Sequence, residues 1–113
     1  MSYPLISWED FKKLEIRTGT ILSAEYLDNA IKPAIKMEID FGPLGIRKTS
    51  AQITDNYLPE ELPGMQILAV INFPPKQIAN IMSECLVLGA IDKEGGVILI
   101  RPEKTVTNGL IVS

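Results

Sequence analysis

The run Glu15-Ile16-Arg17-Thr18-Gly19-Thr20-Ile21-Leu22-Ser23-Ala24 decides the fold. Side chains of a strand alternate between two faces, so Ile16, Thr18, Thr20, Leu22 and Ala24 are expected on one of them. Ile21 interrupts the alternation from the other face. Gly19 stands inside the run, and a glycine within a strand marks a bend, a bulge or a close backbone approach. A long first strand that bends is what a small closed barrel needs if one strand is to belong to both of its sheets.

Upstream, Ser7 is a good N-cap, with Asp10 three residues on in the position of a capping box. Ile6 and Phe11 hold the staple positions, and Trp8, Phe11 and Leu14 offer apolar surface for docking, so a short helix is expected there. Downstream, Met37, Ile39 and Phe41 alternate with Lys36, Glu38 and Asp40, the pattern of a half-buried strand. Gly42-Pro43-Leu44-Gly45 turns the chain, and Ile46 to Ile53 returns as the second arm of a hairpin. Thr54 to Gly64 is a loop with one helical turn at Pro59-Glu60-Glu61-Leu62.

Ile67 to Phe73 is nearly continuously apolar, which predicts a strand buried on both sides. Pro74 and Pro75 stop it, because proline has no N–H to give a ladder. Gln77 to Met82 is expected to make one or two helical turns, and Cys85 to Ile91 a second buried strand. Asp92 to Gly96 is a turn, Val97 to Ile100 a strand, and Leu110-Ile111-Val112 an apolar close. Dense short strands between glycine and proline turns predict one all-β domain over residues 1–113, a five-stranded barrel with an N-terminal helix and C-terminal extension strands.

A chain of 113 residues holds one core. It has no histidine, which removes the commonest general base and metal ligand. Cys85 is the only cysteine, so it is expected as a small buried hydrophobe without a disulfide. Neither a phosphate-binding glycine loop nor an EF-hand spacing occurs, which leaves a binding protein without cofactor or metal rather than an enzyme. No run approaches the roughly 18 apolar residues of a membrane span, and Met1-Ser2-Tyr3-Pro4 does not open a secretory signal. A cytoplasmic protein with no membrane insertion is expected. Net charge is −3, yet Lys32, Lys36, Arg47 and Lys48 outnumber Glu38 and Asp40 between Asn29 and Ile53.

Several short motifs resemble one family. Glu15-Ile16-Arg17-Thr18-Gly19 is similar to the opening of the tRNA-binding domain that ends bacterial methionyl-tRNA synthetases and also occurs as separate proteins. Lys32-Pro33, Ile39-Asp40-Phe41-Gly42, Ala51-Gln52-Ile53-Thr54, Asn72-Phe73-Pro74-Pro75 and Ser83-Glu84 up to Gly89 continue the resemblance in order. Asn-Phe-Pro-Pro with Ser-Glu-x-Leu-Val-Leu-Gly resembles the CsaA branch of export-related chaperones. The synthetase modules differ in carrying asparagine–leucine–lysine–proline and serine–x–glycine–methionine at these places. The resemblance implies an OB-type five-stranded barrel and a homodimer. Residues 1–14 and the stretch from about Val97 would form the dimer, through Leu5, Ile6, Trp8, Ile98, Ile100, Leu110 and Val112.

Two binding functions follow. In one, tRNA or another structured RNA meets Lys32, Lys36, Arg47, Lys48 and Lys76 through its phosphates. Ser50, Gln52, Asn72 and Ser83 then supply donors and acceptors at the barrel face. In the other, unfolded preproteins or peptides lie extended in an apolar groove at Phe73, Pro74, Ile78, Ile81 and Met82, with strand addition as one mode. Methionine and isoleucine adapt to varied side chains.

Overall fold

In the computed structural model, which describes residues 2–113, the run after Glu15 forms one strand, β1 (Ile16–Tyr26). Its first half pairs antiparallel with β4 (Gln66–Val70) and its second with β2 (Ile35–Asp40). The handover comes at a register shift between Ile21 and Ser23. That bulge exposes Leu22 and puts Ile21 and Ala24 on the same side, against the core. Gly19 is a close approach: a Cβ there would lie 2.8 Å from both Ile39 Cγ2 and Phe41 Cε1. The expected single face from Ile16 to Ala24 is therefore corrected. Thr18 and Thr20 face the C-terminal segment, donating to Thr107 O at 2.8 Å and Asn108 Oδ1 at 2.7 Å.

β3 (Ile46–Ala51) pairs with the whole of β2, as the hairpin pattern requires. A short strand further along, β7 (Leu86–Val87), pairs with β4 and completes the sheet order β3-β2-β1-β4-β7. The sheet curls until β3 meets the segment before β7. There Glu84 N–H donates to Lys48 O at 2.8 Å, and Lys48 N–H to the Glu84 carboxylate at 2.8 Å. Thr49 Oγ1, buried, donates to Cys85 O at 2.7 Å and meets Ser83 Oγ at 2.9 Å. The result is a nearly closed five-stranded barrel. Its core includes Ile21, Ile35, Met37, Ile39, Phe41 and Ile67. Cys85 is buried with them, as expected.

Two expectations fail between Lys76 and Leu99. Gln77 to Met82 is no helix but a hairpin of β5 (Lys76–Ile78) and β6 (Ile81–Ser83). Six residues are too few to repay helix nucleation, and β-branched Ile78 and Ile81 pair across the turn instead. Ala79 accepts a φ of +51° to make that turn. Nor is Cys85 to Ile91 one buried strand. The chain leaves β4 after Leu88 and pairs β8 (Gly89–Asp92) with β9 (Gly96–Leu99), leaving Leu86 and Ile91 exposed. Gly89 permits the departure, since a Cβ there would overlap Val97 Cγ1.

Helix α1 (Trp8–Lys12) has the expected capping box, Asp10 N–H to Ser7 Oγ and Ser7 N–H to Asp10 Oδ2. None of its residues is fully buried: Phe11 is half-buried while Trp8 is 80% exposed, so the expected docking of this helix is only partial within the chain. Residues 109–112 run along the first half of β1: Thr18 N–H donates to Leu110 O, and Val112 N–H to Ile16 O. Among the described residues no helix is long and apolar enough to cross a membrane.

Candidate binding interface

Beyond the Lys48–Glu84 contact the barrel wall parts, and a groove of about 1190 Å³ opens. Two irregular segments form its lips, the loop after β1 and the β5–β6 hairpin. Each holds a non-glycine residue in the left-handed region, Asn29 at φ +62° and Ala79 at φ +51°. Such conformations cost energy and cluster at binding sites. Phe73, Pro74 and Ile78 of the anticipated peptide surface line the groove, as do Lys32, Ser50, Gln52, Lys76 and Ser83 of the anticipated RNA surface. The structure thus brings much of both sets to one place.

Among the described residues no acidic side chain lines the groove, although the whole chain carries net charge −3. Its two lysines, Lys32 and Lys76, make no ion pair among the described residues. Both are exposed at the rim. Cys85 lies at the floor, where burial pushes its thiol up to about 11. A thiol so raised stays protonated near neutrality and is a poor nucleophile.

The other anticipated residues lie elsewhere or are already engaged. Lys36, Lys48 and Ile81 border a separate hollow of about 240 Å³. Lys36 is paired with Glu25 at 2.7 Å, which raises its pKa. Met82 is exposed but lines neither cavity. Arg47 crosses the barrel end and donates from Nη1 to Ile71 O at 2.9 Å. Asn72 is a tether: its Oδ1 accepts from Glu15 N–H at 3.0 Å, and its Nδ2 donates to Lys13 O at 2.7 Å. The polar residue at the strand end thus fixes the junction between α1 and β1.

Of the residues anticipated for a dimer, Leu5, Ile6, Trp8, Ile98, Ile100 and Leu110 are exposed, and Val112 is partly covered. Sequence reading missed Ile31, Leu86 and Ile91 as groove residues. Ile31 is fully exposed, beside Lys32-Pro33 in a loop, and that juxtaposition was a usable signal. Ile91 gave none, because only the turn-back of β8 swings it to the groove.

Residues 16–110 match the family described as "Putative tRNA binding domain". The chaperone CsaA of Bacillus anthracis superimposes with a TM-score of 0.92 at 48% identity, covering 97% of this chain and all of that one. CsaA of Picrophilus torridus does so at 0.90 and 47%, over 96% of this chain and all of that one. The chain belongs to the tRNA-binding-domain family, in its CsaA branch. Methionine–tRNA ligases of Methanococcoides burtonii and Porphyromonas gingivalis (ATCC 33277) are 34% and 40% identical over 96% and 92% of the chain. The chain spans only 16% and 15% of those two curated relatives, so the likeness is to one module of each. Within this CsaA-branch domain, β4 ends at Val70 rather than running to Phe73 as expected, and Pro74 and Pro75 further on wall the groove.

Proposed function

We propose that the chain is a non-catalytic CsaA-type chaperone whose groove holds unfolded stretches of polypeptide, including preproteins bound for secretion. The groove itself carries this reading. It is wide, solvent-open and lined largely by apolar side chains, among them Phe73, Pro74, Ile78 and Leu86. Exposed apolar surface of that extent marks a site of interaction. Ile81 and Met82 extend the apolar surface outside the groove in this reading.

The groove and the adjoining hollow together serve tRNA. Lys32, Lys48 and Lys76, free of ion pairs among the described residues, meet phosphates, and Ser50, Gln52 and Ser83 hydrogen-bond. Lys36, Arg47 and Asn72 act here mainly by holding the surrounding backbone, through their bonds to Glu25, Ile71 and Lys13. Residues 1–113 form one binding unit in the cytoplasm. Two copies join through residues 1–14 and about 97–113, which explains a capped helix that leaves Trp8 uncovered in its own chain. The family assignment favours a second reading, structure-specific tRNA binding with no chaperone role.

Binding of an unfolded peptide separates the two. The log affinity for tRNA should fall with log salt by ~0.7–0.9 per phosphate neutralised. Affinity for a fluorescent, permanently unfolded apolar peptide should barely change over the same range, and tRNA should displace the peptide. If tRNA binds and the peptide does not, the second reading replaces the first.

A further inference from the structure

One stretch of main chain beside the groove has nothing to pair with. In the β2–β3 ladder Phe41 N–H donates to Gly45 O at 2.9 Å. By alternation the hydrogen-bonded pairs that follow are Ile39 with Arg47, Met37 with Thr49, and Ile35 with Ala51. Ile46, Lys48 and Ser50 therefore turn their N–H and C=O groups away from β2. Lys48 bears this out, since both of its groups meet Glu84 across the seam at 2.8 Å.

Ser50, two residues on, meets no such partner. Beyond Glu84 the opposite wall serves β4 instead: Leu86 pairs with Val70, and Leu88 N–H donates to Leu68 O at 2.9 Å. Among the described residues the Ser50 N–H has no backbone partner. The Ser50 C=O has only a 3.5 Å contact from its neighbour Thr49. Ser50 and Leu86 both line the groove, which opens where the seam parts.

A free strand edge beside apolar pockets is a template for one more strand. Resting on the polypeptide reading above, we infer that an extended peptide segment binds by adding to the free edge of β3 at Ser50. Its main chain takes both Ser50 groups, and alternate side chains enter the groove against Phe73, Ile78 and Leu86. Polypeptide fits this edge because each residue brings one donor and one acceptor. A phosphate backbone fits less well, since phosphates only accept and would leave the Ser50 carbonyl unmet. Main-chain recognition also suits a site that must take many sequences, with the side-chain pockets adding only preference.

The test uses the full chain and a fluorescein-labelled ten-residue peptide alternating leucine with serine, read by anisotropy. In an added strand alternate residues point their N–H at the edge, so all leucines share one role and all serines the other. Two analogues carry N-methyl groups, one on three leucines and one on three serines. One should bind at least tenfold more weakly and the other within threefold of the parent. Equal losses, or none, would overturn strand addition while leaving groove binding intact. Ser50→Pro removes the edge N–H without breaking a β2–β3 bond. It should weaken the peptide about tenfold with an unchanged circular dichroism spectrum, whereas Ser50→Ala, which keeps the N–H, should bind the peptide within threefold of the unmodified chain. A peptide unweakened by the proline, or weakened equally by the alanine, would overturn the inference. If the parent peptide does not bind the unmodified chain at all, the polypeptide reading falls first.

Discussion

Asn72 holds two distant main-chain groups, Glu15 N–H and Lys13 O, so its contribution is structural wherever else it acts. Asn72→Ala should cost about 1–3 kcal/mol, from two lost hydrogen bonds and two groups left to find water. Urea denaturation measures it, and an unchanged midpoint would remove the tether. Cys85 allows a pH prediction. Burial raises the folded thiol to about 11 from an ordinary value near 9. Its contribution to stability is then full below about pH 9 and lost as pH rises towards 11, because the unfolded chain gives up the proton first. Cys85→Ala should flatten part of that decline, with the melting temperature compared at pH 8 and pH 10.5. Identical declines in both proteins would show that the thiol stays solvated. Both residues stand out in the sequence, a lone asparagine ending an apolar run and a lone cysteine inside one. Burial of the cysteine was legible from its neighbours. The partners of the asparagine were not, since they lie 57 and 59 residues away.

β1 succeeds as an element because it changes partners midway, and two local features let it. The bulge at Leu22 resets which side chains face inward, and Gly19 lets the Phe41 ring lie against bare backbone. Gly19→Ala would put a methyl 2.8–2.9 Å from the Phe41 ring and the Ile39 side chain. Both neighbours are fully buried and have nowhere to go, so a loss of about 1–3 kcal/mol is expected in equilibrium unfolding. A loss under a few tenths would mean that the barrel can expand there. β2 followed directly from its alternation, because it has one buried and one more solvated face, and β3 followed from the turn that sends the chain back beside it. The β5–β6 hairpin did not. Its residues are short, mixed in polarity and half exposed, so neither period dominates.

For the whole molecule the open question is what covers α1 and the segment before it. Leu5 is fully exposed and Trp8 is 80% exposed on a segment that is nonetheless well capped. If two copies share that cover, Leu5→Glu with Trp8→Glu should leave the circular dichroism spectrum intact. The pair should also halve the mass found by sedimentation equilibrium. A wild-type chain that sediments as a monomer would remove the dimer from the account. The barrel core and this surface are then separable, since none of the residues in α1 belongs to the core.

The residues alone were enough for the barrel: alternation in β2, a turn that returns β3 beside it, an apolar run before two prolines, and a glycine inside the long first strand. These are local signals, set by side-chain period and by backbone freedom, and they survive without knowledge of neighbours. Tertiary structure alone decided the site. The groove exists because the wall opposite β3 turns to β4 after Glu84, and its lining joins residues from Asn29 to Leu99. It also decided that Arg47 and Asn72 spend their polar groups on the chain itself. Such pairings depend on which segments closure brings together, and no local pattern encodes them.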